Sequence, residues 1–198
     1  MSNSGRLILS LCDLSGVWPA PYLAAGYTVR RVDIQGGEDV RLMEFPREPV
    51  HGILAAPPCT MFAAAGNRWV RTPQQMIEAL SVVDACLRLV AVCRPVWWCL
   101  ENPRGKLRRY LGPPRHIFDP CDYGDPWTKK TLLWGSFVPP IPGSVVTSTR
   151  PVTPTEGSRV HRLPGVRPSD SVEVARRKRA ARSETPAGFA RAFFEFNP

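Results

Sequence analysis

Four short runs, 7–11, 27–32, 50–56 and 96–100, are each too short for a buried helix and are followed within two residues by proline or an acid; Arg30 and Arg31 interrupt the second, which reads as a strand, and the other three are mainly apolar. Runs of this length read as strands covered on both faces, as in a parallel sheet flanked by helices. Between the first two runs, residues 20–25 (Ala-Pro-Tyr-Leu-Ala-Ala) form a small helical stretch ended by Gly26. Strand, helix and strand within about thirty residues make a βαβ unit. Between the last two runs, residues 74–93 carry Ile77, Leu80, Val83, Leu87 and Val90 at helical spacing, and Pro95 stops the helix. Lys129-Lys130-Thr131-Leu132-Leu133-Trp134-Gly135 reads as a basic entry into one more strand. The expected fold is α/β and Rossmann-like, a mostly parallel sheet with helices on its faces.

In an open sheet of this kind the chemistry gathers beyond the carboxyl ends of the strands. The first run is followed there by Asp13-Leu14-Ser15-Gly16, a tight turn whose backbone N–H groups could meet a ligand, although an ordinary turn reads the same way. Asp33 stands at the tip of the second run, where nucleotide-binding α/β proteins place an acid against ribose hydroxyls. The third run ends in Pro57-Pro58-Cys59 and the fourth in Glu101-Asn102-Pro103, so a thiol and a carboxylic acid are expected to face one crevice. Each is ambiguous alone, since cysteine is also among the residues most often buried and inert.

Taken in order, these segments make the chain resemble the DNA cytosine-5 methyltransferases over nearly its whole length, in the form of a compact, phage-type member. The resemblance implies S-adenosyl-L-methionine as cofactor, held by Asp13, Ser15 and Gly16, by Asp33 and Ile34, by Asp39 and Val40 of the Glu38-Asp39-Val40-Arg41 segment, and by Pro57. It implies Cys59 as the nucleophile that adds to C6 of cytosine and Glu101 as the acid that serves N3, with Asn102 holding the loop. Lys130, with Lys129 beside it, stands where the family carries arginines, and Trp127 where it carries glutamine; a lysine is a point charge rather than a planar fork. Val17-Trp18-Pro19 also replaces smaller residues after the cofactor turn.

The implied partner is double-stranded DNA, with the target base flipped out of the helix. Arg68, Trp69 and Arg71 in the loop after the nucleophile, together with Lys129, are the candidate DNA contacts. The family's large recognition domain has no counterpart, so a very short context such as GpC or CpG is expected. RNA or a free cytosine nucleotide is the alternative substrate, and a non-catalytic nucleic-acid-binding protein the alternative of another class. A Cys-His hydrolase finds no motif around His51, His116 or His161.

At 198 residues the chain suits one core. A core over 1–137, a loop-rich basic segment over 138–182 and a C-terminal helix over 183–198 are expected. Pro139, Pro140, Pro142, Pro151, Pro154, Pro164 and Pro168 argue against long regular elements in the middle segment. Phe189, Phe193 and Phe196 give the last segment an apolar face. The net charge of +9 favours a polyanionic partner, and from Arg150 onward ten Lys/Arg stand against five acids. Six cysteines without a Cys-x-x-Cys pair suggest reduced thiols and no structural metal. With no run of eighteen apolar residues and no secretory segment, a cytoplasmic, membrane-free monomer is expected.

Overall fold

The computed structural model describes residues 3–64, 70–150, 161–162 and 166–198. Strand β1 (Leu7–Leu11) is wholly buried, and α1 (Ala20–Ala24) leads from it to β2 (Thr28–Val32). Then come β3 (Val50–Ala55), α2 (Pro73–Cys93) and β4 (Trp97–Pro103). The rest comprises α3 (Arg108–Leu111), β5 (His116–Phe118), β6 (Trp127–Thr128), β7 (Thr131–Ser136), β8 (His161–Arg162), α4 (Val172–Ser183) and α5 (Ala187–Phe196).

Among the described residues the main sheet has six strands in the order β2-β1-β3-β4-β7-β5. The pairs β1/β2, β1/β3 and β3/β4 are parallel, whereas β7 runs antiparallel to both β4 and β5. The sheet is therefore mostly parallel with an antiparallel margin. The chain leaves β1 toward β2 on one side, and β3 continues toward β4 on the other. The carboxyl ends of β1 and β3 thus straddle a topological switch point, where α/β sheets bind ligands.

Successive strand residues face opposite ways and feed two cores. Leu7, Leu9, Leu11, Ile53 and Leu100 pack toward Val83, Cys86 and Leu89 of α2. Ile8, Leu54, Cys99 and Leu133 pack on the other face with Trp18, Tyr22, Phe189 and Phe193. The residues expected to line α2 need one correction: Ile77 is 59% exposed, and the buried row runs through Val83, Cys86 and Leu89. That row is centred about half a turn from Ile77, and Met76 packs inward in its place. Thr72 caps α2 in a reciprocal capping box with Gln75, and Arg94 ends it in the left-handed conformation.

The middle segment departs from expectation at its end. After Pro168 no proline or glycine interrupts the chain until Pro186, and residues 172–183 form the helix α4. The C-terminal helix forms over Ala187–Phe196 and buries Phe189 and Phe193, while Phe196 is only half-buried. Its packing against α1 is held by Tyr22 Oη donating to Asn197 O at 2.8 Å. Gly188 permits a second close approach of α5, to the turn that ends at Tyr123, because a Cβ there would lie 1.8 Å from Tyr123 O.

Candidate active site

At the end of β1 the chain turns sharply because Cys12 takes a left-handed backbone (φ 58°). Asp13 then organises the turn. Its Oδ1 accepts from Ser15 Oγ at 2.8 Å and from Gly16 N at 3.0 Å, and its Oδ2 accepts from Ser10 Oγ at 3.0 Å. With both oxygens committed, Asp13 builds the loop rather than offering a free acceptor. Gly16 lies against Arg31, whose Nη1 would be 2.6 Å from a Cβ at that position and donates to Leu14 O at 3.2 Å.

A cavity of about 170 Å³ opens beside this turn, lined by Asp13, Leu14, Arg31, Asp33, Gly36 and Glu38. Asp33 follows β2 and caps a short 3-10 turn through Oδ1, which accepts from Gln35 N at 2.8 Å. The remaining residues expected to hold a cofactor are scattered. Ile34 is exposed, and Val40 is buried in the core on the α2 side. Asp39 is engaged by Arg41 through the guanidinium and the backbone N–H, which holds its carboxyl below the usual range. It lines a larger neighbouring cavity of about 520 Å³ that shares Glu38. Pro57 is buried, and its carbonyl accepts from Asn102 Nδ2 at 2.8 Å.

That hydrogen bond joins the two strand ends that matter most. Asn102 is fully buried within β4, and it pins the carbonyl two residues before Cys59. Its Oδ1 has no hydrogen-bond partner among the described residues. Glu101, the preceding residue, lies inside β4 rather than beyond it, with its side chain 13% exposed. Burial raises its pKa, the Lys129 ammonium 3.9 Å away works in the opposite sense, and Asp13 adds to the rise.

The Cys59 thiol is likewise pushed up, first by burial and then by Glu101, while Lys129 and Arg182 pull it down. Cys59, Glu101 and Lys129 therefore share one electrostatic neighbourhood. The lysine expected at this pair is Lys130, yet Lys130 is exposed and Lys129, 16% exposed, takes the place beside Glu101. The local hydrogen bonding explains which one turns inward: Thr131 Oγ1 donates to Lys129 O at 2.7 Å, and Arg104 N donates to Lys130 O at 2.9 Å. Arg182, from the last turn of α4, escaped the sequence reading because its place depends on how α4 packs.

Of the expected DNA contacts, Arg68 and Trp69 lie outside the described residues. Arg71 is turned back onto the loop, donating from Nη2 to Thr60 O at 2.6 Å. Among the described residues no cluster of His, Cys, Asp and Glu is arranged to hold a metal ion, and no helix is long and apolar enough to cross a membrane. All six cysteines are free thiols.

The coupling makes a prediction that stands apart from any substrate. In Glu101→Gln the carboxylate's field is gone, so Cys59 should ionise at lower pH; in Lys129→Met it should ionise at higher pH. The pH dependence of Cys59 alkylation by iodoacetamide, followed by mass spectrometry, reads both midpoints. Unmoved midpoints in both variants would show that the three groups do not act together.

The chain is similar in fold to the crystal structure of a candidate DNA modification methyltransferase encoded within an E. coli prophage, at 18% sequence identity and a TM-score of 0.48. The similarity covers 72% of this chain and 51% of that one, so the chain spans about half that protein's length. No family model matches the chain, and no curated protein does.

Proposed function

We propose that this chain transfers a methyl group from S-adenosyl-L-methionine to C5 of cytosine in double-stranded DNA. The observation that carries the reading is the convergence of Cys59, Glu101 and Lys129 at the carboxyl ends of β3 and β4, tied together by Asn102, with the Asp13–Asp33 cavity nearby at the ends of β1 and β2.

The cavity residues suit the cofactor's chemistry. Among the described residues Asp33 is bound through Oδ1, which leaves Oδ2 as an acceptor for ribose hydroxyls. When bound, S-adenosylmethionine supplies an electrophilic methyl group. The protein's own part is to make C5 nucleophilic. The Cys59 thiolate adds to C6 of the ring, forming an S–C6 bond, and the electron pair of the C5–C6 double bond moves to C5. Glu101, whose pKa burial raises, donates in its acid form to N3 and so disperses the charge that this addition creates. C5 takes the methyl group as the sulfonium C–S bond breaks to leave a neutral thioether. Solvent water then accepts the C5 proton, the C–H electron pair re-forms the C5–C6 double bond as the S–C6 bond breaks to release the Cys59 thiolate, and N3 returns its proton to Glu101. The Lys129 ammonium favours the thiolate form of Cys59. Asn102 fixes the Pro57 carbonyl and with it the path of the loop that presents Cys59.

Incubation with tritiated S-adenosylmethionine and unmodified duplex DNA, followed by digestion to nucleosides, tests the reading. Tritium in 5-methylcytosine is the expected result. Cofactor binding with no transfer to DNA, RNA or free cytosine nucleotide would favour a non-catalytic nucleic-acid-binding protein instead.

A further inference from the structure

The loop that follows Cys59 is clamped to a second segment that the chemistry above does not use. Phe62 N and Ala63 N donate to Cys59 O at 2.9 and 2.8 Å, making a tight turn. This turn pairs with the chain leaving β4: Ala63 bridges Gly105, Ala64 N donates to Arg104 O at 3.0 Å, and Lys106 N donates to Phe62 O at 2.7 Å. The approach is so close that a Cβ at Gly105 would lie 1.9 Å from Phe62 O. Whatever residues 104–110 touch is therefore held in fixed relation to the nucleophile.

Those residues read Arg104-Gly105-Lys106-Leu107-Arg108-Arg109-Tyr110. Leu107 is buried and anchors the segment, whereas Arg104, Arg108 and Arg109 are exposed and Lys106 is half-buried. Tyr110 is half exposed, its ring edge-on to Phe62 at 6.4 Å. Among the described residues, no carboxylate lies within 4.0 Å of any of the four cations, although Arg30, Arg41, Lys129, Arg150, Arg177 and Lys178 elsewhere all face acids. Like charges gathered on one short segment without counter-charge repel one another, and a polyanion relieves that repulsion.

We infer that Arg104, Lys106, Arg108 and Arg109 form a phosphate-binding strip that seats the backbone of duplex DNA beside Cys59. The strip rests on the proposed action on duplex DNA and adds a partner surface to it. Guanidinium groups suit phosphate oxygens, and Tyr110 Oη can donate to the same backbone. Such contacts position the duplex without reading its sequence.

The test is fluorescence anisotropy of a labelled duplex across a salt series. Arg104→Gln/Arg108→Gln/Arg109→Gln is compared with Arg6→Gln/Arg47→Gln/Arg94→Gln, which removes the same charge at the opposite, amino ends of β1, β3 and β4. The strip variant should weaken binding about tenfold or more at moderate salt and flatten the log–log salt slope by about 2 to 3, while the control changes the slope by less than about 1. Arg104→Lys/Arg108→Lys/Arg109→Lys should keep the slope. Equal flattening in strip and control variants, or none in the strip variant, overturns the assignment. So does an effect confined to duplex RNA of equal length. Methyl transfer by the wild-type chain is measured alongside. Transfer without a strip effect removes the strip and leaves the proposed function, and a strip effect without transfer does the reverse.

Discussion

Cys59→Ala is expected to lower methyl incorporation by about 10⁴-fold or more, while binding of S-adenosylmethionine stays within a few-fold of the wild type. The two effects separate because the thiol lies at the end of β3 and the cofactor cavity is built from the ends of β1 and β2. Without the S–C6 bond, C5 has no means of becoming nucleophilic, and neither Glu101 nor Lys129 can substitute. Activity retained in Cys59→Ala would rule out covalent addition through this residue.

The pH profile carries a matching signature. Turnover needs Cys59 as thiolate and Glu101 as acid, and burial raises both pKa values. Between the two pKa values the thiolate fraction grows with pH as fast as the acid fraction shrinks, so kcat/KM should be flat. Below the Glu101 value it falls as the thiolate is lost, and above the Cys59 value it falls as the acid is lost. In Glu101→Gln the second fall should disappear, and the rate should climb with pH until Cys59 is fully ionised.

Phe189→Ala should destabilise the fold by about 3–5 kcal/mol, the range for deleting a large buried aromatic ring. Phe189 has no exposed surface and joins four rings from different parts of the chain. It stacks on Phe118 at 4.0 Å and 10°, and it meets Tyr123, Trp18 and Phe193 between 5.4 and 6.0 Å. Alanine would leave a cavity bordered by β5, the turn after β1 and α5, none of which can close it without moving another. Urea denaturation followed by circular dichroism measures the loss; a change below about 1 kcal/mol would mean that the neighbours collapse into the space.

The buried strands were legible because uninterrupted apolar runs have few other uses in a chain of this size. Glycine and proline marked their limits well. The antiparallel pairing of β7 was not legible, since the 131–136 run would look the same in either direction. Cys59 and Glu101 could be named from their position after apolar runs. The choice between Lys129 and Lys130 could not, because backbone hydrogen bonds from Arg104 and Thr131 decide it, and neither partner is signalled by the lysines themselves. Arg71 looked like a cation for DNA, whereas the structure uses it against Thr60 O. The 104–110 segment escaped notice for the opposite reason: its charges are ordinary in sequence and gain meaning only where Gly105 meets Phe62.

The docking of α5 on α1 also bears on how the chain comes to be folded. Tyr22 and Asn197 are 175 positions apart, yet they share a buried hydrogen bond. Trp18, fully enclosed in the finished protein, meets Phe189 and Phe193. A ribosome makes the first βαβ unit long before those phenylalanines exist, so the emerging chain must carry Trp18 and Tyr22 with that face uncovered through most of its synthesis. Closing so long a loop is an entropic barrier, and it places this step late in folding. Until α5 docks, Trp18 and Tyr22 leave an aromatic surface open to solvent, and a chain held at that stage is exposed to aggregation.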